Sequence, residues 1–97
     1  MSASRPAAGH ERGQITLAAV IARKRPILPR FVVVPASRIG PWKVTETVVV
    51  DATLNGMAVG RRTLKRWDGQ NWFVELPERS CQRVGVDVGD RVILSIS

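Results

Sequence analysis

The densest chemistry in the 97-residue sequence is the run Arg61-Arg62-Thr63-Leu64-Lys65-Arg66-Trp67. Four cations and an indole within seven residues can grip phosphate oxygens and stack a planar ring, as single-strand-binding proteins do. If the run is a strand, alternation sends Arg61, Lys65 and Trp67 to one face and Arg62, Leu64 and Arg66 to the other. Cations then stand on both faces, and one face must be wet or a rim. Trp42 and Trp72 are further indoles that basic groups could accompany. The competing and more frequent explanation is an edge strand whose Lys and Arg discourage pairing with other chains. Arg23-Lys24-Arg25, before Pro26, offers the same choice between a phosphate contact and a solvated hairpin tip, and the second is commoner.

Catalytic groups are scarce. His10 is the one histidine and lies in a stretch with no fixed frame, so a catalytic role is not expected of it. Cys81 reads as a small buried hydrophobe; a reactive thiolate would need a lowered pKa, which Arg79 and Arg83 would favour. His10 and Cys81 together fall short of a zinc ligand set, and no metal or cofactor is expected. Asp87 and Asp90 flank Gly89 in a pattern of turn chemistry, with Asp90 bonding backbone amides nearby. No Gly-x-Gly-x-x-Gly or Walker-type loop is present to cradle a nucleotide.

Length and composition set the frame for these groups. A chain of 97 residues makes one domain, and 44% apolar with 24% charged residues is ordinary for a packed core. The net charge of +7 is unevenly spread: residues 1–30 contribute +5, residues 31–60 nothing and residues 61–97 +2. The excess therefore sits mainly in the N-terminal segment and first hairpin, which weakens the inference from basicity to a dedicated nucleic-acid surface. A lone cysteine cannot form an internal disulfide, so the cytoplasm is the expected location. No apolar run approaches bilayer-spanning length and Arg5, Glu11, Arg12 and Gln14 interrupt any secretory signal, so a soluble protein with no membrane association is expected.

The elements that must position the cations read as strands. Residues 1–13 carry no apolar period and are expected to form a disordered leader, with a single domain over 14–97. Ile15, Leu17, Ala19 and Ile21 alternate with Thr16, Ala18 and Val20 in a first strand, and Phe31–Val34 forms a second, closed by Pro35. A connector over 36–41 has room for at most one helical turn. Val44–Leu54 is expected to be the longest strand, turned by Asn55-Gly56 into a partner over Met57–Trp67. Asp68-Gly69 predicts a second turn of the same kind before Trp72–Leu76. Pro77 and Gly85 bracket a short helix over Glu78–Val84, and Val92–Ile96 is the last strand.

The run Phe31-Val32-Val33-Val34-Pro35 matches Phe73-Val74-Glu75-Leu76-Pro77, and Val50–Leu54 lies over Val92–Ile96 at the same offset of 42 residues. Both halves read strand, proline, connector, strand. Two similar β units sharing one core follow, because neither could bury its apolar face alone.

Val74-Glu75-Leu76-Pro77, Arg79, Arg83 and Val84-Gly85-Val86-Asp87-Val88-Gly89-Asp90-Arg91-Val92-Ile93-Leu94 resemble the end of domain-of-unknown-function family 1905. Asn55-Gly56, Arg62, Leu64, Gly69 and Trp72 fall in fitting places, and the resemblance covers residues 14–97. Where some members carry Arg, this chain has Cys81. The resemblance implies a mainly β fold, a small double-split β-barrel of two similar halves with one short helix near the C-terminus, a shape also found among AbrB- and MazE-like transcription regulators. It implies no activity.

The resulting expectation is a non-enzymatic binding domain that holds an anionic ligand or partner. Two alternatives stay open: a nucleic-acid-binding, regulator-like module, and a small-molecule-binding or enzymatic domain with a cavity between the halves lined by Arg62, Arg79 or Arg83, whose planar forks suit carboxylate and phosphate. The domain is expected as a monomer or homodimer, and a dimerisation role is the remaining possibility. The candidate anion- or nucleic-acid-binding residues are Arg61, Arg62, Lys65, Arg66, Trp67, Arg79 and Arg83.

Overall fold

The computed structural model describes residues 13–97; the leader expected over 1–13 lies, apart from Gly13, outside the described residues. Among these, β1 (Ile15–Val20), β2 (Arg30–Pro35), β3 (Val48–Leu54), β4 (Met57–Arg66), β5 (Asn71–Leu76) and β6 (Arg91–Ile96) form one antiparallel sheet in the order β1-β6-β3-β4-β5-β2. The sheet nearly closes. Past the end of β1, Ala22 and Phe31 exchange two backbone hydrogen bonds of 2.9 Å, which joins the first edge to the last.

Two strands are each shared between neighbours. β1 pairs with β6 and its continuation meets β2, while β4 pairs first with β3 and then, through Leu64, Lys65 and Arg66, with β5. Exchanging the halves at the 42-residue offset carries this closed ring of pairings into itself. The equivalence extends to single positions. Inner-face Val32, Val34, Val50, Ala52 and Leu54 correspond to Val74, Leu76, Val92, Leu94 and Ile96, and all ten are buried. The pseudo-dyad passes through the cross-strand pairs Val32–Val74 and Thr53–Ser95. The fold is thus a small double-split β-barrel, the form the resemblance implies, built of the two similar halves that the repeat predicts.

Each half also carries a helix after its proline. α2 (Glu78–Val84) has the predicted bounds, and α1 (Ala36–Ile39) occupies the equivalent start, followed by a 3-10 turn over Gly40–Trp42. One helix was expected and two are present, the first only a single turn long. Pro35 and Pro77 precede them with nearly the same dihedrals, and Ile39 and Cys81, equivalent positions, are both buried against the core.

Three expectations need correction. β3 starts at Val48, so β4 is the longest strand. Lys43 adopts a left-handed φ of 56°, matching φ 86° at its counterpart Gly85, and residues 44–47 run as a loop like 86–89. Second, β4 is shared between β3 and β5 and is not an edge strand along its whole length, although Arg61 and Arg62 pair with β3 alone and Lys65 and Arg66 with β5 alone. Third, Asn55 and Gly56 take the positive φ values of the predicted turn, but Gly69 does not; Asp68 Oδ1 accepts the amides of Gln70 and Asn71 at 2.8 Å and builds a longer, side-chain-closed turn.

Gly85 is the more demanding of the two left-handed positions because it ends a helix with amide bonds to the Cys81 and Gln82 carbonyls. No atom lies within 4 Å of a Cβ built there, so the penalty of a side chain is purely conformational. Gly85→Ala is expected to cost about 1 kcal/mol in urea unfolding, whereas Lys43→Gly, relieving the same strain, should leave the midpoint unchanged or higher.

Candidate functional site

Three of the predicted arginines converge. Arg62, Arg79 and Arg83 line one cleft of about 630 Å³ together with Val59, Gly60, Pro77 and Ser80. Local structure on both walls brings them there. On β4, the register against β3 slips by one residue between Gly60 and Ala58, leaving Val59 as the extra residue of a bulge, and Gly60 takes φ +83°. Beyond the bulge the inward positions are Arg62 and Leu64; Leu64 is sealed in the core while Arg62 is only partly covered. On α2, Arg79 and Arg83 are one turn apart and exposed, above the buried Ser80 and Cys81.

The electrostatics of the cleft are one-sided. No carboxylate lines it, and among the described residues none of the three guanidiniums forms an ion pair. Arg62 Nε is buried without a hydrogen-bond partner, a costly arrangement for a charged donor. Arg30 shows the contrasting case. Its Nε donates to Asp87 Oδ1 at 2.6 Å, and the same oxygen accepts the Val88 amide at 2.7 Å. These hydrogen bonds hold Asp87 below the ordinary carboxylate value and raise Arg30 above its own. Arg30 is thereby satisfied within the fold, and the loop around Gly89 is closed by the Asp87 amide donating to Asp90 Oδ2 at 2.8 Å, as turn chemistry predicts.

The expected cavity between the halves is not where these arginines meet. Every residue of the cleft belongs to the second half, and the equivalent positions of the first half turn the comparison into an internal control. Beyond the bulge the two strands correspond at an offset of 43, so Ala19, Ser37 and Pro41 stand where Arg62, Arg79 and Arg83 do. Arg38, in the place of Ser80, is bonded to the Thr16 carbonyl at 2.7 Å. The first half has neither the bulge nor the arginines.

The remaining candidates go elsewhere. Lys65 Nζ is 3.3 Å from Glu75 Oε1 on the outer face of the sheet, and exposed Arg61 stands opposite Asp51. Arg66 leaves the barrel at the end of β4 and, instead of facing inward with Leu64, lines a second, outer groove with Trp67. Trp42 and Trp72 are buried in the core and offer no stacking surface, so Trp67, 43% exposed, is the accessible indole. Lys24, from the basic run that reads as a phosphate contact or a solvated tip, joins it there with Phe31 and Phe73; the two phenylalanines are not among the candidates, and their outward parity in the repeat is their one signal.

Cys81 is buried on α2, and desolvation pushes its thiol up despite the opposing charge of Arg30, the opposite of what a nucleophile needs. No group of three or more metal-ligating side chains occurs among the described residues, and no helix there is long and apolar enough to cross a membrane.

The Asp87 contact sets a pH dependence. A carboxylate whose pKa is lowered by folding stabilises the fold above its unfolded value, and the contribution is lost as the pH falls through the lowered, folded-state value. Asp87→Asn is therefore expected to lower the thermal midpoint at pH 7, and the gap to the parent protein should close as the pH is taken well below 3.8. A gap that persists unchanged in acid would show that the Arg30 contact is not its cause.

Comparison of the chain with protein-family models, with curated proteins and with solved structures finds no match.

Proposed function

We propose that this domain is a non-enzymatic binding module that seats a carboxylate or phosphate group in the cleft of Arg62, Arg79 and Arg83. The observation that carries the reading is the convergence of three arginines without a countercharge, one with a buried and unpartnered Nε. An incoming oxyanion would satisfy that donor and accept from forks on two separate elements, which gives bidentate and directional recognition. The lining supplies donors and no base to activate Ser80 as a nucleophile, which supports binding over catalysis.

The resemblance to domain-of-unknown-function family 1905 over residues 14–97 belongs to the same proposal, as does a cytoplasmic location, which the single buried cysteine fits. A monomer satisfies this reading, since one chain supplies the whole cleft.

Thermal unfolding in rising inorganic phosphate tests it. A ligand that binds only the folded state stabilises it by about 2.7 kcal/mol at 100 times its Kd, so the midpoint should climb with phosphate and with a tricarboxylate but not with chloride at matched ionic strength. Combined Arg79→Ala and Arg83→Ala, both at exposed positions, should leave the ligand-free midpoint in place and abolish the climb. A midpoint indifferent to every oxyanion would sink the reading.

A further inference from the structure

The outer groove carries a second site. It measures about 280 Å³ and is lined by Lys24, Leu28, Pro29, Phe31, Arg66, Trp67, Phe73 and Glu75. Phe31, Trp67 and Phe73 meet edge to face, with centroids 5.5 to 6.1 Å apart. The groove straddles the junction of the halves. Phe31 and Phe73 are equivalent residues on either side of the Val32–Val74 pair, and Lys24 and Arg66 flank them. Trp67 breaks the symmetry, standing where the first half has Lys24.

From this arrangement we propose that the groove binds a nucleotide unit, its base against Trp67 and the aromatic pair, its phosphate between Lys24 and Arg66. The site shares no residue with the arginine cleft and does not depend on it. An apolar aromatic floor takes a planar ring of any sequence, and cations at the rim neutralise the backbone charge. Lys24 Nζ already sits 4.6 Å from the Trp67 ring centroid. An exposed cation–π contact is weaker than base stacking, so a base displaces the ammonium and leaves it beside the phosphate. Glu75 has one oxygen engaged by Lys65 and can accept an exocyclic amino proton with the other. The basic hairpin residues Arg23 and Arg25 extend the positive rim past the groove, which suits a strand longer than one nucleotide.

The test is anisotropy of a dye-labelled single-stranded oligonucleotide titrated with the full chain, at low and at physiological salt, with a free mononucleotide as competitor. Because a protein of net charge +7 attracts any polyanion, the decisive arm is Trp67→Ala, which removes no charge. It should weaken binding about tenfold, whereas Trp67→Phe should retain most of it. Lys24→Glu with Arg66→Glu should abolish binding, and the combined Arg79→Ala and Arg83→Ala variant should bind as the parent does. Displacement by the mononucleotide at comparable concentration identifies a free nucleotide as the occupant, and failure to displace identifies the strand; both support the site. Equal binding by the parent and Trp67→Ala, or no binding at low salt, overturns it. Loss of binding only in the Arg79 and Arg83 variant would overturn it too, while supporting the cleft.

Discussion

Everything in this barrel depends on one apolar stripe that has to be covered from both sides. The inward positions of all six strands are aliphatic or aromatic almost without exception, and neither half has a second layer of its own to bury them. Strands of the two halves interleave in one nearly closed sheet, so each half completes the other's layer, and the dyad passes through the pairs Val32–Val74 and Thr53–Ser95. Truncating one buried leucine to alanine typically costs about 2–5 kcal/mol, against about 5–15 kcal/mol of total stability for a domain. Leu54, Leu64, Leu76 and Leu94, all fully buried, are therefore each a large fraction of what holds the halves together.

The same closure explains why the chemistry is peripheral. A barrel this small fills its interior with side chains, so cations can occupy only its mouths and its outer face. Arg62 marks the boundary: it shares the inward parity of Leu64 but reaches the mouth, where α2 arches over it. Arg30 shows the alternative solution, a cation drawn into the strand layer and fixed by Asp87.

Much of the architecture was legible from residues 14 onward because alternation, prolines and the 42-residue repeat are local or periodic signals. Pro77 and Gly85 bounded α2 to the residue. What escaped did so for identifiable reasons. Lysine gives no hint of a left-handed φ, so Lys43 hid the break that shortens β3 within a valine-rich run. Asp68-Gly69 looks like a tight turn until the carboxylate of Asp68 is seen to close a longer one. That β4 exchanges β3 for β5 at Leu64 is a matter of strand pairing, which composition does not encode. Arg79 and Arg83 were paired with Arg62 before their geometry was known, yet their meeting place within one half, and the outer groove with its phenylalanines, needed the bulge and the dyad.

That bulge has an arithmetic consequence. Val59 is one residue more than β3 requires, and side-chain facing along a strand alternates with every residue. The bulge takes up that residue, so pairing and facing resume beyond it: Leu64 lies opposite Val48 and is buried, as Ile21 is after the unbulged β1. A chain one residue shorter there would keep Arg62 and Leu64 on their faces and lose the kink that Val59 and Gly60 put beside the cleft.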